Sequence, residues 1–189
     1  MHTRFTIKFV AACALFIWLS GHFASHATSP PPAELQNVMN VQHMGTARLK
    51  MLGFQIYDIN LWVAPDFSAD NYVNSSFAID ITYLRNFDND AVAERSIKEM
   101  RGIDNMTNEQ QEQWLAQMRK LFPNIKKGDR LFGIHKVGEG AVFKMNGKAI
   151  GEVRDSEFAR IFFGIWLSPK TSQPQMRKEL LGAAGTKRQ

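Results

Sequence analysis

Two arginines and two tyrosines stand on or beside stretches that otherwise read as apolar strands: Arg48 and Arg85, Tyr57 and Tyr83. A guanidinium keeps its charge at physiological pH, and beside a phenol it makes a clamp for a carboxylate or a phenolate. The same arginines can instead run their stems along the strand to solvent, or pair with Asp58 or Asp80, and a lone strand arginine does this more often than it clamps. Other chemistries lack their residues. Cys13 is the only cysteine and falls in the N-terminal leader, so a cysteine nucleophile is excluded from the processed chain. His43 and His135 are the histidines beyond that leader. They are not clustered at ligand spacing, so no zinc site is expected, and His135 reads as a structural strand residue. Gly138-Glu139-Gly140 lacks the further glycine and the helix of a phosphate-cradling loop, and no nucleophile elbow is present. No metal or cofactor is expected.

The elements that must position these residues centre on Gly128–Leu167. Leu131–Val137 reads as a strand, Ala141–Met145 as a second, and Lys148–Val153 as a third. Asn146-Gly147 between two apolar runs is a strong hairpin signal, because a type I′ turn needs positive φ at both central residues. Asp155 or Ser156 then caps a helix whose Phe158, Ile161, Phe162, Ile165 and Trp166 form one broad apolar face, to be laid on the sheet just made. Upstream, Leu35–Val41 reads as a short strand, Thr46–Leu52 and Phe54–Val63 as longer ones, and Asp66–Ser76 as a loop. Phe77, Ile79, Ile81 and Tyr83 alternate with Ala78, Asp80 and Thr82, which predicts a half-buried strand with one wet face. Two helices follow. One is capped by Asp88 or Asn89 with Ala93, Ile97 and Met100 on its stripe; the other opens on the Thr107/Gln110 capping box and buries Trp114, Leu115, Met118, Leu121 and Phe122. Pro174 starts a last helix that Gly182 ends. Strands, two helices, strands and helices in that order, with hairpins dominant, predict an α+β domain: a mainly antiparallel sheet with helices layered on one face.

The N-terminus has the marks of an export signal. Arg4 and Lys8 precede an apolar run, Phe9–Leu19, and Ser25-His26-Ala27 offers small residues for cleavage. That run is too short for a membrane span, which needs about 20 residues. Val10-Ala11-Ala12-Cys13 is rejected as a lipoprotein box, because the strongest apolar residues follow the cysteine. The organisation expected is therefore a signal at 1–27, a proline-rich spacer at 28–35, a folded domain at 36–182 and a loose tail at 183–189, with no membrane span once the signal is removed. Losing Arg4 and Lys8 lowers the formal net charge from +5 to +3, and no basic stripe interleaved with aromatics is present, so nucleic acid is not the expected partner. Without cysteines, stability must come from the core. The sequons at Asn74 and Asn105 matter only in a host that glycosylates.

Several short stretches, taken together, resemble the chalcone isomerase-like superfamily, in particular its small, often exported bacterial branch. They are Met44-Gly45-Thr46-Ala47-Arg48, Phe54-Gln55-Ile56-Tyr57-Asp58-Ile59-Asn60-Leu61-Trp62, Lys127-Gly128-Asp129-Arg130, Asn146-Gly147-Lys148, Phe158-Ala159, and Ile165-Trp166-Leu167 ahead of Leu180-Leu181-Gly182. The resemblance spans residues 36–182. It implies an open-faced β-sandwich, a large antiparallel sheet under a layer of helices, with a ligand cleft between them.

It also implies two site readings. In the isomerases of the superfamily a cleft arginine steadies the substrate phenolate, helped by a threonine, a tyrosine, an asparagine and a late-helix hydroxyl. Arg48 matches the arginine, but Tyr57 takes the threonine position, and the other three fall near Asp90, Ile97 and Phe162. Fatty-acid-binding relatives pair the same arginine with a tyrosine in the next strand, which Arg48 and Tyr57 resemble. The expectation is therefore an exported, non-catalytic protein, periplasmic by the resemblance, that binds a small amphipathic molecule such as a fatty acid. Arg48 and Tyr57 would hold its carboxylate, with Arg85 as helper. The alternative is an intramolecular lyase acting on a chalcone or another enone, with Arg48 as its catalytic group. A third reading is purely structural, with the cleft filled by Phe162, Phe163 and Trp166.

Overall fold

A computed structural model of the chain describes residues 31–36 and 40–182. The export signal at 1–27, the start of the spacer and the tail at 183–189 lie outside the described residues. Six strands, β1 (Gln42–Met51), β2 (Phe54–Val63), β3 (Phe77–Tyr83), β4 (Arg130–Lys136), β5 (Gly140–Met145) and β6 (Lys148–Val153), form one sheet in sequence order. Every neighbouring pair is antiparallel. Between β3 and β4 the chain leaves the sheet for α2 (Asn89–Ile103) and α3 (Asn108–Leu121), and after β6 it forms α4 (Ser156–Leu167) and α5 (Pro174–Leu181). The α+β open-faced sandwich expected from the sequence is the observed architecture.

Local chemistry fixes the ends of these elements. Asn146 and Gly147 adopt φ of 49° and 80°, the left-handed pair that a tight hairpin requires. Thr107 and Gln110 form the reciprocal capping box of α3. Asp155 caps α4 by accepting from the N–H groups of Glu157 and Phe158, and its other oxygen accepts from the buried Trp114 indole at 2.9 Å, which ties α3 to α4. At Gly45 the carbonyls of Glu179 and Leu180 come so close that a Cβ would sit 2.4–2.5 Å from them, so this glycine lets α5 lie flat on β1.

Three expectations need correction. Residues 33–36, read as the end of a spacer and the start of a strand, form a short helix, α1 (Ala33–Gln36). Leu35 is fully buried against Val41, Trp62, Ala78, Phe132 and Ile134 on the outer face of the sheet, and that anchor outweighs strand propensity in so short a segment. The β3 face expected to be wet is covered. Asp80 is only 2% exposed and is gripped by the Arg130 guanidinium at 2.8 and 2.7 Å, while Arg130 itself lies over the Phe132 ring. Finally, α4 is buried from Phe158 to Leu167 at every position but Arg160. It is packed between the sheet, α2, α5 and the 3₁₀ turn at Ala69–Asn74, so its apolar residues extend beyond the single face that periodicity marks.

Candidate functional site

Strand alternation decides which side chains meet. Cross-strand pairing puts Leu49 opposite Tyr57 and Tyr57 opposite Tyr83, while Arg48 is opposite Asp58 and Asp58 opposite Thr82. Side chains one residue apart point to opposite faces of a sheet. Tyr57 and Tyr83 therefore face the helices, and Arg48 faces away from them. Arg48 is engaged on that outer face: it grips both oxygens of Asp58 and donates to Gln55 Oε1 at 2.9 Å. The Arg48–Tyr57 clamp expected from the resemblance is thus not assembled, because the two residues are separated by the thickness of the sheet. Of the two outcomes left open for Arg48, pairing with Asp58 is the one observed. Asp80 goes to Arg130 instead, and Arg85 lays its guanidinium over the Phe54 ring, 4.5 Å from the centroid.

Behind Tyr57 the sheet and helices do not close on each other. They leave a cavity of about 430 Å³, lined by Leu49, Tyr57, Ile81, Tyr83 and Leu131 from the sheet, and by Val92, Ser96, Phe122, Phe162, Ile165 and Trp166 from the helical layer. Such a space lies within the usual size of small-molecule sites, and its wall is apolar with few polar groups, as such sites are. The aromatic filling foreseen for a collapsed cleft is partly present: Phe162 and Trp166 form wall rather than plug, and Phe163 turns away to pack on Phe77 and His135.

The polar groups of this cavity are concentrated. Tyr57 Oη accepts a hydrogen bond from Trp166 Nε1 at 2.9 Å. Among the described residues no acceptor meets its own O–H, and no partner meets the Tyr83 hydroxyl. The two rings stand edge to face with centroids 6.0 Å apart. Tyr57 keeps some accessible surface because the cavity lies against it, yet it sits deep in the fold; removal from bulk water pushes its phenol up to about 12, against the opposing pull of the Trp166 hydrogen bond. Burial raises the Tyr83 phenol further still. Both are therefore neutral donors at physiological pH. At the rim, Arg95 pairs with Glu99 at 2.6 Å, and Glu99 also accepts from Ser172 Oγ at 2.6 Å, so the rim cation is already compensated. Two neutral hydroxyls at one side of an apolar chamber can hold the oxygen of a carbonyl or carboxyl head while the rest of the molecule lies against hydrocarbon.

Sequence reasoning selected Tyr57 but missed Trp166 as its partner and left Tyr83 out of the site. The alternation of Ile79, Ile81 and Tyr83 was a usable signal for Tyr83, whereas nothing in the spacing gives the indole of α4 as the donor to β2. Among the described residues no group of His, Cys, Asp or Glu is placed to hold a metal ion, and no helix is long and apolar enough to cross a membrane.

This arrangement, a six-stranded antiparallel sheet with a ligand-sized chamber beneath its helices, has relatives. The chain belongs to the chalcone isomerase-like family, whose model matches residues 35–182. An uncharacterised protein of Haemophilus influenzae is 25% identical over 141 residues, covering 75% of this chain and 68% of that one. The crystal structure of an Arabidopsis thaliana fatty-acid binding protein superposes with a TM-score of 0.61 at 10% identity, covering 75% of this chain and 86% of that one. At that identity the likeness is one of fold.

Proposed function

We propose that this protein binds a small amphipathic molecule, a medium-chain fatty acid or a compound of similar shape, in the chamber between sheet and helices. The observation that carries the reading is the pair of phenols, Tyr57 and Tyr83, whose O–H groups have no acceptor among the described residues beside a mainly apolar cavity of about 430 Å³ with Arg95, Glu99 and Ser172 at its rim. Removal of one donor to a buried ligand oxygen costs the hydrogen bond it made, so this pair takes the anchoring role first expected of Arg48 and Tyr57. Arg85, expected as a helper at the carboxylate, lies instead over Phe54 at the cavity mouth. The Arabidopsis protein of the same fold, a fatty-acid binding protein, supports the reading. The rival, an intramolecular lyase, needs a guanidinium beside the substrate. Arg48 stands on the opposite face of the sheet and Arg95 is held by Glu99, so that chemistry has less support. Export through the leader at residues 1–27, to a periplasm in a bacterial host, belongs to the same proposal.

Titration calorimetry with dodecanoate tests the anchor. Tyr57→Phe weakens binding by roughly 2- to 10-fold, the worth of one net hydrogen bond, and Arg48→Ala leaves it within about twofold because that side chain never reaches the chamber. The opposite ranking would return the anchor to Arg48.

A further inference from the structure

The turn between β1 and β2 is built in a way the folded chain does not need. Leu52 and Gly53 hold φ of 49° and 80°, the same pair of angles that Asn146 and Gly147 hold between β5 and β6. Asparagine enters the left-handed region readily and leucine rarely, yet leucine occupies the β1–β2 turn, and it is 95% exposed. Next to it Phe54 is 54% exposed. Only three large apolar residues are exposed to this degree among the described residues, and two of them share this one tip. Met51, Leu52 and Phe54 also line the mouth of the cavity, so the apolar tip runs into the apolar chamber without interruption.

The surroundings of the tip are cationic. Lys50 precedes it on β1. Arg85 covers the Phe54 ring, and Lys127 is brought to the same end of the sheet by its backbone N–H, which donates to Asn86 at 2.8 Å. None of these three cations forms an ion pair among the described residues. Two apolar prongs inside a collar of uncompensated cations complement an interface of acyl chains under anionic headgroups.

We propose that the β1–β2 hairpin is a docking tip that seats the mouth of the cavity on an anionic phospholipid surface. The role of the mouth in ligand transfer rests on the ligand-binding reading; the docking itself does not. Leu52 and Phe54 dip into the headgroup layer, Lys50, Arg85 and Lys127 meet its phosphates, and an amphipathic molecule passes between bilayer and chamber without crossing water.

Hydrogen-exchange mass spectrometry on the full chain reads the contact segment by segment, so any contribution of the N-terminal residues is seen apart. With phosphatidylethanolamine vesicles containing phosphatidylglycerol, the amides of residues 50–56 exchange more slowly, and with phosphatidylcholine alone they do not. Leu52→Asp weakens this contact roughly tenfold or more, the worth of one apolar side chain, while its β3 and β4 amides keep wild-type exchange and report an intact fold. Val137→Ser, which alters the exposed apolar residue between β4 and β5, leaves the protection unchanged. Ile81→Trp, which fills the chamber, keeps the vesicle signal, so docking is scored separately from ligand uptake. The proposal is overturned if residues 50–56 show no vesicle-dependent slowing, if Leu52→Asp is protected as well as wild type, if phosphatidylcholine protects equally, or if protection grows with protein concentration alone. The last result would assign the tip to a second copy of the chain.

Discussion

The indole N–H of Trp166 occupies a lone pair of Tyr57 and so leaves the phenol its proton to give. In the proposed function a ligand oxygen takes that hydrogen bond, and the charge state of the site does not vary near neutrality because burial keeps Tyr57 protonated up to about 12. The residue that does respond to pH lies elsewhere. His135 is 3% exposed, stacked on Phe77 with centroids 4.7 Å apart, and its Nδ1 lies 2.9 Å from the Ser75 carbonyl oxygen. Burial lowers its pKa below the ordinary imidazole value of about 6.5, and the Ser75 contact only partly offsets this. The unfolded chain then takes up a proton near that value which the folded chain refuses, so stability is full above it and falls as pH drops toward the depressed folded value. Thermal midpoints recorded from pH 7.5 down to 5.5 should fall more steeply for wild type than for His135→Phe. Parallel curves would show that His135 does not titrate on unfolding.

At the scale of elements, Asp155, the cap of α4, joins two parts with one carboxylate: the first turn of α4 and the α3 indole. Asp155→Ala removes the cap and strands the fully buried Trp114 N–H, a loss of about 2–4 kcal/mol. Asp155→Asn keeps one acceptor oxygen, enough for the α4 cap, but turns its NH2 toward the Trp114 N–H, and should cost about 1–3 kcal/mol, less than alanine. Denaturant midpoints measure both, and equal losses would mean that the cap adds nothing beyond the Trp114 hydrogen bond. Much of this level was legible in the chain. The capping box at Thr107, the Asn146-Gly147 turn and the strand spans of β2 and β3 follow from local rules, because the deciding interactions lie within a few residues. The misreadings are all long-range. α1 exists because Leu35 finds Trp62 and Phe132, and the outer face of β3 is dry because Arg130 reaches Asp80. The site failed for the same reason. Arg48 and Tyr57 are nine positions apart across a hairpin, and whether they share a face depends on register; β1 carries irregularities at His43/Gly45 and at Leu49/Lys50. A one-residue difference there exchanges inside for outside.

For the whole molecule, the two faces of the sheet do different work. The outer face is covered by α1 around Trp62 and Phe132 and carries the Arg130–Asp80 pair and the more exposed Arg48–Asp58 pair. The inner face carries α2, α3, α4 and α5, and one end of that layer stands off far enough to leave the chamber. The open-faced sandwich could be anticipated from element order, but the empty volume could not, since it is what remains after packing. Occupancy of that volume is the central claim, and native mass spectrometry on the protein purified from its own source tests it most directly. Wild type should carry a stoichiometric small-molecule adduct whose mass identifies the ligand class. Arg48→Ala should carry it too, whereas Ile81→Trp and Ile165→Trp, which fill the chamber from opposite walls, should lose it. A clean protein mass for wild type, or an adduct that survives both fillings and vanishes with Arg48→Ala, would contradict the account.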